Sequence, residues 1–166
     1  MAADWNQFTV RINIKNVPKE KLYRAWATRS GMEYWFLRLS EYKSPDGVER
    51  KPDELVAKGD SYKWLWHGWP DDTVEYGEIL DCNGTDNFKF SFGKAGNCTV
   101  SLREEEGELL VQLVQDNVPS DEQGKQTWYV GCKTGWTFYL ANLKSLFEGG
   151  IDLRNRNEKL QNVINS

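Results

Sequence analysis

Few residues in this sequence are suited to acid–base or nucleophilic chemistry. His67 is the only histidine, so a Ser-His-Asp or Cys-His site would have to be built around it. The alternation over 61–67 points it away from Trp64 and Trp66, which favours a structural or surface role. A zinc site needs three or four ligands within reach, and the three cysteines lack CxxC spacing. We therefore predict no catalytic residue, no metal site and no cofactor.

Acidic residues that are adjacent in the sequence are better explained as solvated turn residues than as a catalytic acid and base. Asp71 and Asp72 follow Trp69-Pro70 in a predicted turn, where solvated carboxylates are common. Glu104–Glu106 has the same character at the tip of a predicted hairpin. The sequence contains neither GxGxxG nor GxxxxGK, so nothing in it predicts a loop that holds the phosphates of a nucleotide.

Aromatic residues are the informative part of this sequence, which contains eight tryptophans, seven tyrosines and seven phenylalanines. Tyr62, Trp64 and Trp66 alternate along one predicted strand and would share one of its faces. Tyrosine and tryptophan combine an apolar body with one polar atom, which suits a pocket that orients a mostly apolar ligand. For any one of them, packing in the core is the alternative. We predict a ligand-binding site formed by Trp35, Tyr62, Trp64, Trp66, Trp69, Trp136, Tyr139, Leu140 and Leu143.

One long amphipathic helix is predicted over 127–150, and it supplies the last four of these residues. Glycines at 149 and 150 are expected to end it, since glycine closes a helix at little cost. At about 1.5 Å per residue the helix is about 30 Å long. Gly131 and Gly135 lie together on its flank, where a backbone or a ligand can approach closely. Apolar residues recur at helical spacing at Tyr129, Cys132, Trp136, Tyr139, Leu140, Leu143, Leu146 and Phe147.

The remaining elements are predicted to be strands and two short helices. Alternation over 8–15 indicates a first strand, helical spacing follows it, and strands separated by turn signals fill most of 39–113. A sheet of that size with one apolar face needs cover, and the long helix is the only element able to supply it. A twisted sheet curls, and a helix laid in its concave side leaves a cavity. The predicted fold class is α+β: a helix-grip fold with a curved antiparallel sheet of about 6–7 strands wrapped around one long C-terminal helix, and two short helices after the first strand.

Length, charge and composition limit the classes of function. The 166 residues fit one domain, predicted over 1–151, followed by a polar C-terminal tail over 152–166. A net charge of −4 without a Lys/Arg cluster predicts no nucleic-acid partner. The sequence contains neither a long apolar run nor a signal-peptide pattern, so we predict neither membrane insertion nor secretion. Cys82, Cys98 and Cys132 are odd in number, which indicates reduced thiols and a cytoplasmic location.

Three stretches of the sequence resemble a known superfamily. They are RAWATRSGMEYWF, GDSYKWLWHGW and CKTGWTFYLANLKSLFEGGIDLR. Over 8–154 the chain is similar to the START-like superfamily, also called SRPBCC or the birch-pollen-allergen fold. More narrowly, it resembles the bacterial single-domain proteins similar to the C-terminal domain of the activator of the Hsp90 ATPase. The resemblance implies the helix-grip fold and, across the superfamily, lipid carriage, hormone binding, polyketide cyclisation or assistance to a chaperone.

Three hypotheses of function follow from the residues and the resemblance together. The first is binding of a small hydrophobic or aromatic ligand, lipid-like or polyketide-like, in a cavity between the sheet and the long helix. The second is a chaperone accessory factor, which would act through its outer surface. The third is a cyclase or hydrolase, which would need an acid or base pointing into the cavity. We favour the first and expect a ligand-binding protein rather than an enzyme.

Overall fold

The computed structural model describes residues 4–164, in which one antiparallel sheet packs against a long C-terminal helix. This is the predicted α+β helix-grip architecture, with two short helices after the first strand. The strands are β1 (Phe8–Ile14), β2 (Leu39–Lys43), β3 (Ser61–Leu65), β4 (Val74–Cys82), β5 (Asn87–Ser91), β6 (Asn97–Glu105) and β7 (Glu108–Asp116). The α-helices are α1 (Lys19–Ala27), α2 (Arg29–Trp35), α3 (Glu122–Gly124) and α4 (Gly131–Phe147), and a π-helical segment, Lys125–Val130, joins α3 to α4.

The sheet contains seven strands in the order β1-β7-β6-β5-β4-β3-β2. Neighbouring strands are antiparallel throughout, as the turn signals in the sequence indicate. Glu106 and Gly107 form the two-residue turn between β6 and β7, with φ of 49° and 77°. Positive φ at both positions matches the twist of a tight hairpin, so the predicted tip is confirmed.

Strand β3 is shorter than its alternating pattern predicts, because it ends at Leu65 instead of His67. Trp66 and His67 therefore belong to the loop over 66–73, which we call the β3–β4 loop. Gly68 in this loop has a φ of 80°, a conformation that turns the chain away from the sheet. The orientation of Trp66 and His67 is consequently set by loop packing, and the alternation used to place them does not apply.

The long C-terminal helical region begins earlier than predicted, at Glu122 instead of Thr127. Asp121 provides the cap, since its side chain accepts a hydrogen bond of 2.6 Å from the backbone N–H of Gly124. The far end agrees with prediction. Gly149 has a φ of 84°, and the N–H of Gly150 donates to the carbonyl oxygen of Ser145 at 2.7 Å.

The tail after α4 has no regular helix or strand, but its first residues are attached to the domain. Arg154 is buried, and its guanidinium donates hydrogen bonds to three carbonyl oxygens at and just beyond the end of α2. These acceptors carry the negative end of the α2 dipole, which a cation stabilises. The three carbonyls belong to Glu33, Tyr34 and Leu37, at 3.1, 2.8 and 3.2 Å.

The interior is rich in aromatic side chains and also contains a buried carboxylate. Asp60 is inaccessible to solvent, and Arg50 binds both of its carboxylate oxygens, at 2.8 and 2.9 Å. The backbone N–H of Ala57 also donates to it at 2.8 Å, so the buried charge is fully paired. Across residues 4–164, no helix combines the length and apolar character needed to cross a membrane.

Candidate ligand-binding groove

A cavity of about 600 Å³, which we call the outer groove, lies between α4 and the β3–β4 loop. A volume of this size is within the range of small-molecule sites. The helix side contributes Gly131, Thr134, Gly135, Phe138 and Tyr139. The sheet side contributes Trp66, Trp69, Asp72, Thr73, Val74 and Glu75, and the C-terminal tail contributes Val163 and Ile164.

A smaller cavity of about 170 Å³, the inner pocket, continues from the outer groove toward the core. The two cavities share Trp66, Gly131, Gly135 and Tyr139, so a ligand in one would touch the walls of the other. The inner pocket is almost entirely apolar, and part of its wall comes from the π-helical segment. Its further lining residues are Phe36, Phe92, Thr127, Trp128, Cys132 and Trp136.

The floor of the inner pocket is a closely packed group of aromatic rings. The Phe36 ring lies 5.0 Å from that of Trp136 and 4.8 Å from that of Tyr139, between centroids. The Trp136 Nε1–H donates a 2.8 Å hydrogen bond to the buried Oε1 of Gln115. Gln115 is itself held by its Nε2–H, which donates to the carbonyl oxygen of Ala95 at 2.8 Å. The indole of Trp136 thus has its polar atom satisfied within the protein and presents an apolar surface to the pocket.

Two glycines of α4 provide the space for the cavity. A Cβ atom placed on Gly135 would have no neighbour within 4 Å, and one placed on Gly131 would have only the carbonyl oxygen of Gln126, at 3.8 Å. These glycines are therefore not required by close packing of the protein against itself. Glycine in a helix costs roughly 1 kcal/mol relative to alanine, and here that cost coincides with an open volume. The predicted close approach on this flank is consistent with space for a ligand.

Among the described residues that line the outer groove, Glu75 is the partly buried carboxylate. It pairs with Trp64 across β3 and β4, and it shares its strand face with Gly77 and the fully buried Ile79. Its side chain is half-buried, and this burial raises the pKa of the carboxyl above its ordinary value. Its carboxylate forms no hydrogen bond or ion pair with any residue in 4–164. The other acidic residue of the groove, Asp72, is exposed.

His67 lies outside both cavities, near a group of arginines. Burial and the positive charges of Arg154 and Arg156 lower the pKa of His67 to about 4. The imidazole is therefore uncharged at neutral pH. Within residues 4–164, no group of three or more His, Cys, Asp or Glu side chains is arranged to hold a metal ion.

Four residues of the predicted site border the cavities. Trp66 and Tyr139 line both the outer groove and the inner pocket. Trp69 lines the outer groove, and its side chain is 39% exposed. Trp136 lines only the inner pocket. The structure thus brings together the helix residues and the residues of the β3–β4 loop.

The other five residues of the predicted site lie in the core instead: Trp35, Tyr62, Trp64, Leu140 and Leu143. Phe36 occupies the space between sheet and helix, with its ring centroid 5.8 Å from Trp64 and 5.0 Å from Trp136. Tyr62 and Trp64 stack at 3.8 Å, and the Tyr62 hydroxyl donates to the carbonyl oxygen of Ser91. These side chains fill the interior and have partners there.

Sequence reasoning missed several residues that shape the site. Glu75 could have been found, because alternation places it on the same face as Gly77 and Ile79, facing the core. Phe36 directly follows α2, and nothing in the local sequence indicates that its ring would reach α4. Gln115 lies among apolar residues of one strand, and nothing in the local sequence indicates its hydrogen bond with Trp136.

Comparison with solved structures supports the fold. Protein SSP2350 from Staphylococcus saprophyticus has a TM-score of 0.68 and 19% identity, with 90% of this chain and 96% of that chain covered. The Aha1 dimer from Colwellia psychrerythraea has a TM-score of 0.65 and 16% identity, covering 87% and 97%. Protein MLL2253 from Mesorhizobium loti has a TM-score of 0.64 and 18% identity, covering 86% and 97%. At these identities the similarity concerns the fold alone.

Comparison of the chain with models of protein families identifies its family. No curated protein matches the chain. A family model described as Activator of Hsp90 ATPase homolog 1-like protein matches residues 16–148, which include both short helices, the β3–β4 loop and α4. This match confirms the resemblance inferred from the sequence motifs. The chain belongs to the family of Activator of Hsp90 ATPase homolog 1-like proteins.

Proposed function

We propose that the protein binds a small, mostly apolar ligand in the outer groove and the inner pocket. The observation that carries this proposal is the open space at Gly135 on α4, where a Cβ atom would meet nothing within 4 Å although the residue is only partly exposed. Trp66 and Tyr139 flank that space in both cavities. Small-molecule sites are usually clefts lined by apolar and aromatic side chains with a few polar groups, which is the form of this space.

The expected affinity is moderate. Covering about 300 Å² of apolar ligand surface at about 25 cal/mol per Å² contributes about 7 to 8 kcal/mol. Immobilising the ligand opposes this gain. Dissociation constants in the micromolar range or weaker are therefore expected for a rigid ligand of two or three rings.

Titration with flavone, a neutral three-ring compound, tests the proposal through tryptophan fluorescence and calorimetry. We expect saturable binding at one site per chain. Trp69→Ala should weaken it about tenfold, because Trp69 borders the outer groove and is partly exposed, so its removal leaves the core intact. Tyr76→Ala is the matched control, since Tyr76 is an aromatic residue on β4 that is 63% exposed and outside the groove. Absence of saturable binding, or equal losses in both variants, would contradict the proposal.

A second candidate function is that of a chaperone accessory factor, and family membership is the observation that favours it. Such a protein would raise the ATPase rate of a bacterial homologue of Hsp90, with a dependence on salt, because charged surfaces govern transient encounters. We expect little or no stimulation. An increase of several fold at micromolar protein would make this the better assignment.

An enzymatic role is the third candidate, and Glu75 is the residue that would serve it. A half-buried carboxyl with a raised pKa is a suitable general acid or base. We nevertheless expect no turnover of generic esters or phosphates. Turnover that persists in His67→Ala and is lost in Glu75→Gln would favour a cyclase or hydrolase instead.

A further inference from the structure

The charged residues described in the lining of the outer groove are acidic. Among the residues that line the two cavities, the charged ones are Asp72 and Glu75, and the described lining contains no lysine, arginine or histidine. A ligand with a carboxylate, such as a fatty acid, would meet like charge here. Electrostatic complementarity favours a cationic ligand over an anionic one.

The position of Glu75 suits such a contact. The strand directs its side chain toward the interior, beside Gly77 and Ile79. Its carboxylate lies against Gly93, with Oε1 2.5 Å from the position that a Cβ atom would take there. A side chain on residue 93 would therefore displace it. Burying a carboxylate without a partner is costly, and an ammonium group from a ligand would offset that cost with a charge-assisted hydrogen bond.

Aromatic rings surround the same volume. Trp66, Trp69 and Tyr139 border the outer groove together with Phe138, whose ring centroid lies 5.3 Å from that of Tyr139. The negative face of an aromatic ring attracts a cation within about 6 Å, and tryptophan does so most strongly. A carboxylate among such rings combines the two interactions that proteins use to bind organic ammonium groups.

We propose that the ligand is an amphipathic amine, whose ammonium group binds Glu75 while its apolar body lies against Trp66, Trp69 and Tyr139. This inference rests on the proposed binding function and specifies the chemical class of the ligand. Asp72, exposed at the edge of the groove, adds negative potential along the path of entry.

Three probes with the same naphthalene ring test this proposal by calorimetry. They are 2-(1-naphthyl)ethylamine, 2-(1-naphthyl)ethanol and the carboxylate 1-naphthaleneacetate. They present a cation, a neutral group and an anion to the groove. We expect the amine to bind about tenfold more tightly than the alcohol, because a charge-assisted hydrogen bond is stronger than a neutral one. The anionic probe should bind most weakly, because it meets like charge. In Glu75→Gln the amine should lose about tenfold, whereas binding of the alcohol should change less than twofold.

Glu78→Gln is the matched control. Glu78 lies on the same strand and carries the same charge, but it is exposed and does not border the groove. This variant should leave all three affinities within about twofold, because exposed charges at a distance are screened. Equal binding of amine and alcohol, tightest binding of the acetate, or equal losses in both variants would overturn the inference while leaving the binding function in place. If flavone fails to bind, the binding function itself is contradicted.

Discussion

Replacing Gly135 by leucine is expected to close the ligand site while making the fold more stable. A Cβ atom added at this position would meet no atom from outside the neighbouring helix backbone within 4 Å, so a side chain can begin there without a clash. The space that it enters is shared by the outer groove and the inner pocket. Leucine would therefore occupy the position where a ligand touches both Trp66 and Tyr139.

The two effects of this substitution have opposite signs and can be measured separately. Leucine favours a helix interior over glycine by about 0.7 kcal/mol, which raises the melting temperature of a chain of this size by about 1 to 3 °C. Filling the site should weaken flavone binding at least tenfold, about 1.4 kcal/mol. A destabilised variant often loses binding as well, but one that is more stable and no longer binds would show that the site itself is filled.

Calorimetric titration and thermal unfolding of the same samples provide the test. Thr137→Leu is the matched control, because Thr137 is exposed on the same helix and lines neither cavity. It should bind flavone as the unmodified protein does. If Gly135→Leu binds flavone with unchanged affinity, the ligand does not occupy the space beside this glycine, and the reasoning that places the site there is refuted.

Three further predictions concern stability. Glu75→Gln should raise the melting temperature at neutral pH, because burial raises the pKa of Glu75 in the folded state and its ionised form therefore opposes folding. The difference should vanish as the pH falls below about 4, where the carboxyl is largely protonated in both states. The pKa of His67 is about 4 in the folded protein, against about 6.5 in the unfolded chain. The free energy of unfolding should therefore fall as the pH is lowered from about 6.5 to about 4. Urea unfolding of His67→Asn should show a smaller fall over the same range. Arg154→Ala should lower the free energy of unfolding in urea by about 3 kcal/mol, since three carbonyl oxygens at the end of α2 lose their donor. Arg156→Ala, at a side chain that is 63% exposed, should cost about 0.5 kcal/mol or less, and equal losses would argue against a capping role for Arg154.

Local patterns in the sequence were enough to predict the fold class and most elements. The alternation over 8–15 corresponds to β1, and the apolar stripe of the long helix corresponds to its buried side at Trp136, Tyr139, Leu140 and Leu143. Glycine at 149 ends that helix in the conformation expected of it. These features depend on residues close together in the chain, so a single sequence contains the information needed to predict them.

The boundaries that sequence reasoning missed depend on contacts between distant segments or on short caps. Strand β3 stops at Leu65, although alternation continues to His67, because its neighbours β2 and β4 pair with it only as far as Leu39 and Val74. The long helical region starts at Glu122, through a cap by Asp121 that the apolar pattern does not include. Arg154 was placed in a polar tail, yet it is buried against the end of α2.

The sequence by itself determined that aromatic side chains from one strand and one helix would face each other across the interior. Only the tertiary structure decided which of them would border a cavity. Phe36, from a third segment, fills the space beside Trp64, whereas the absence of side chains at Gly131 and Gly135 leaves space beside Trp66 and Tyr139. The physical reason is that periodicity assigns a residue to a face of its own element, while a cavity is the volume left after several elements have packed together.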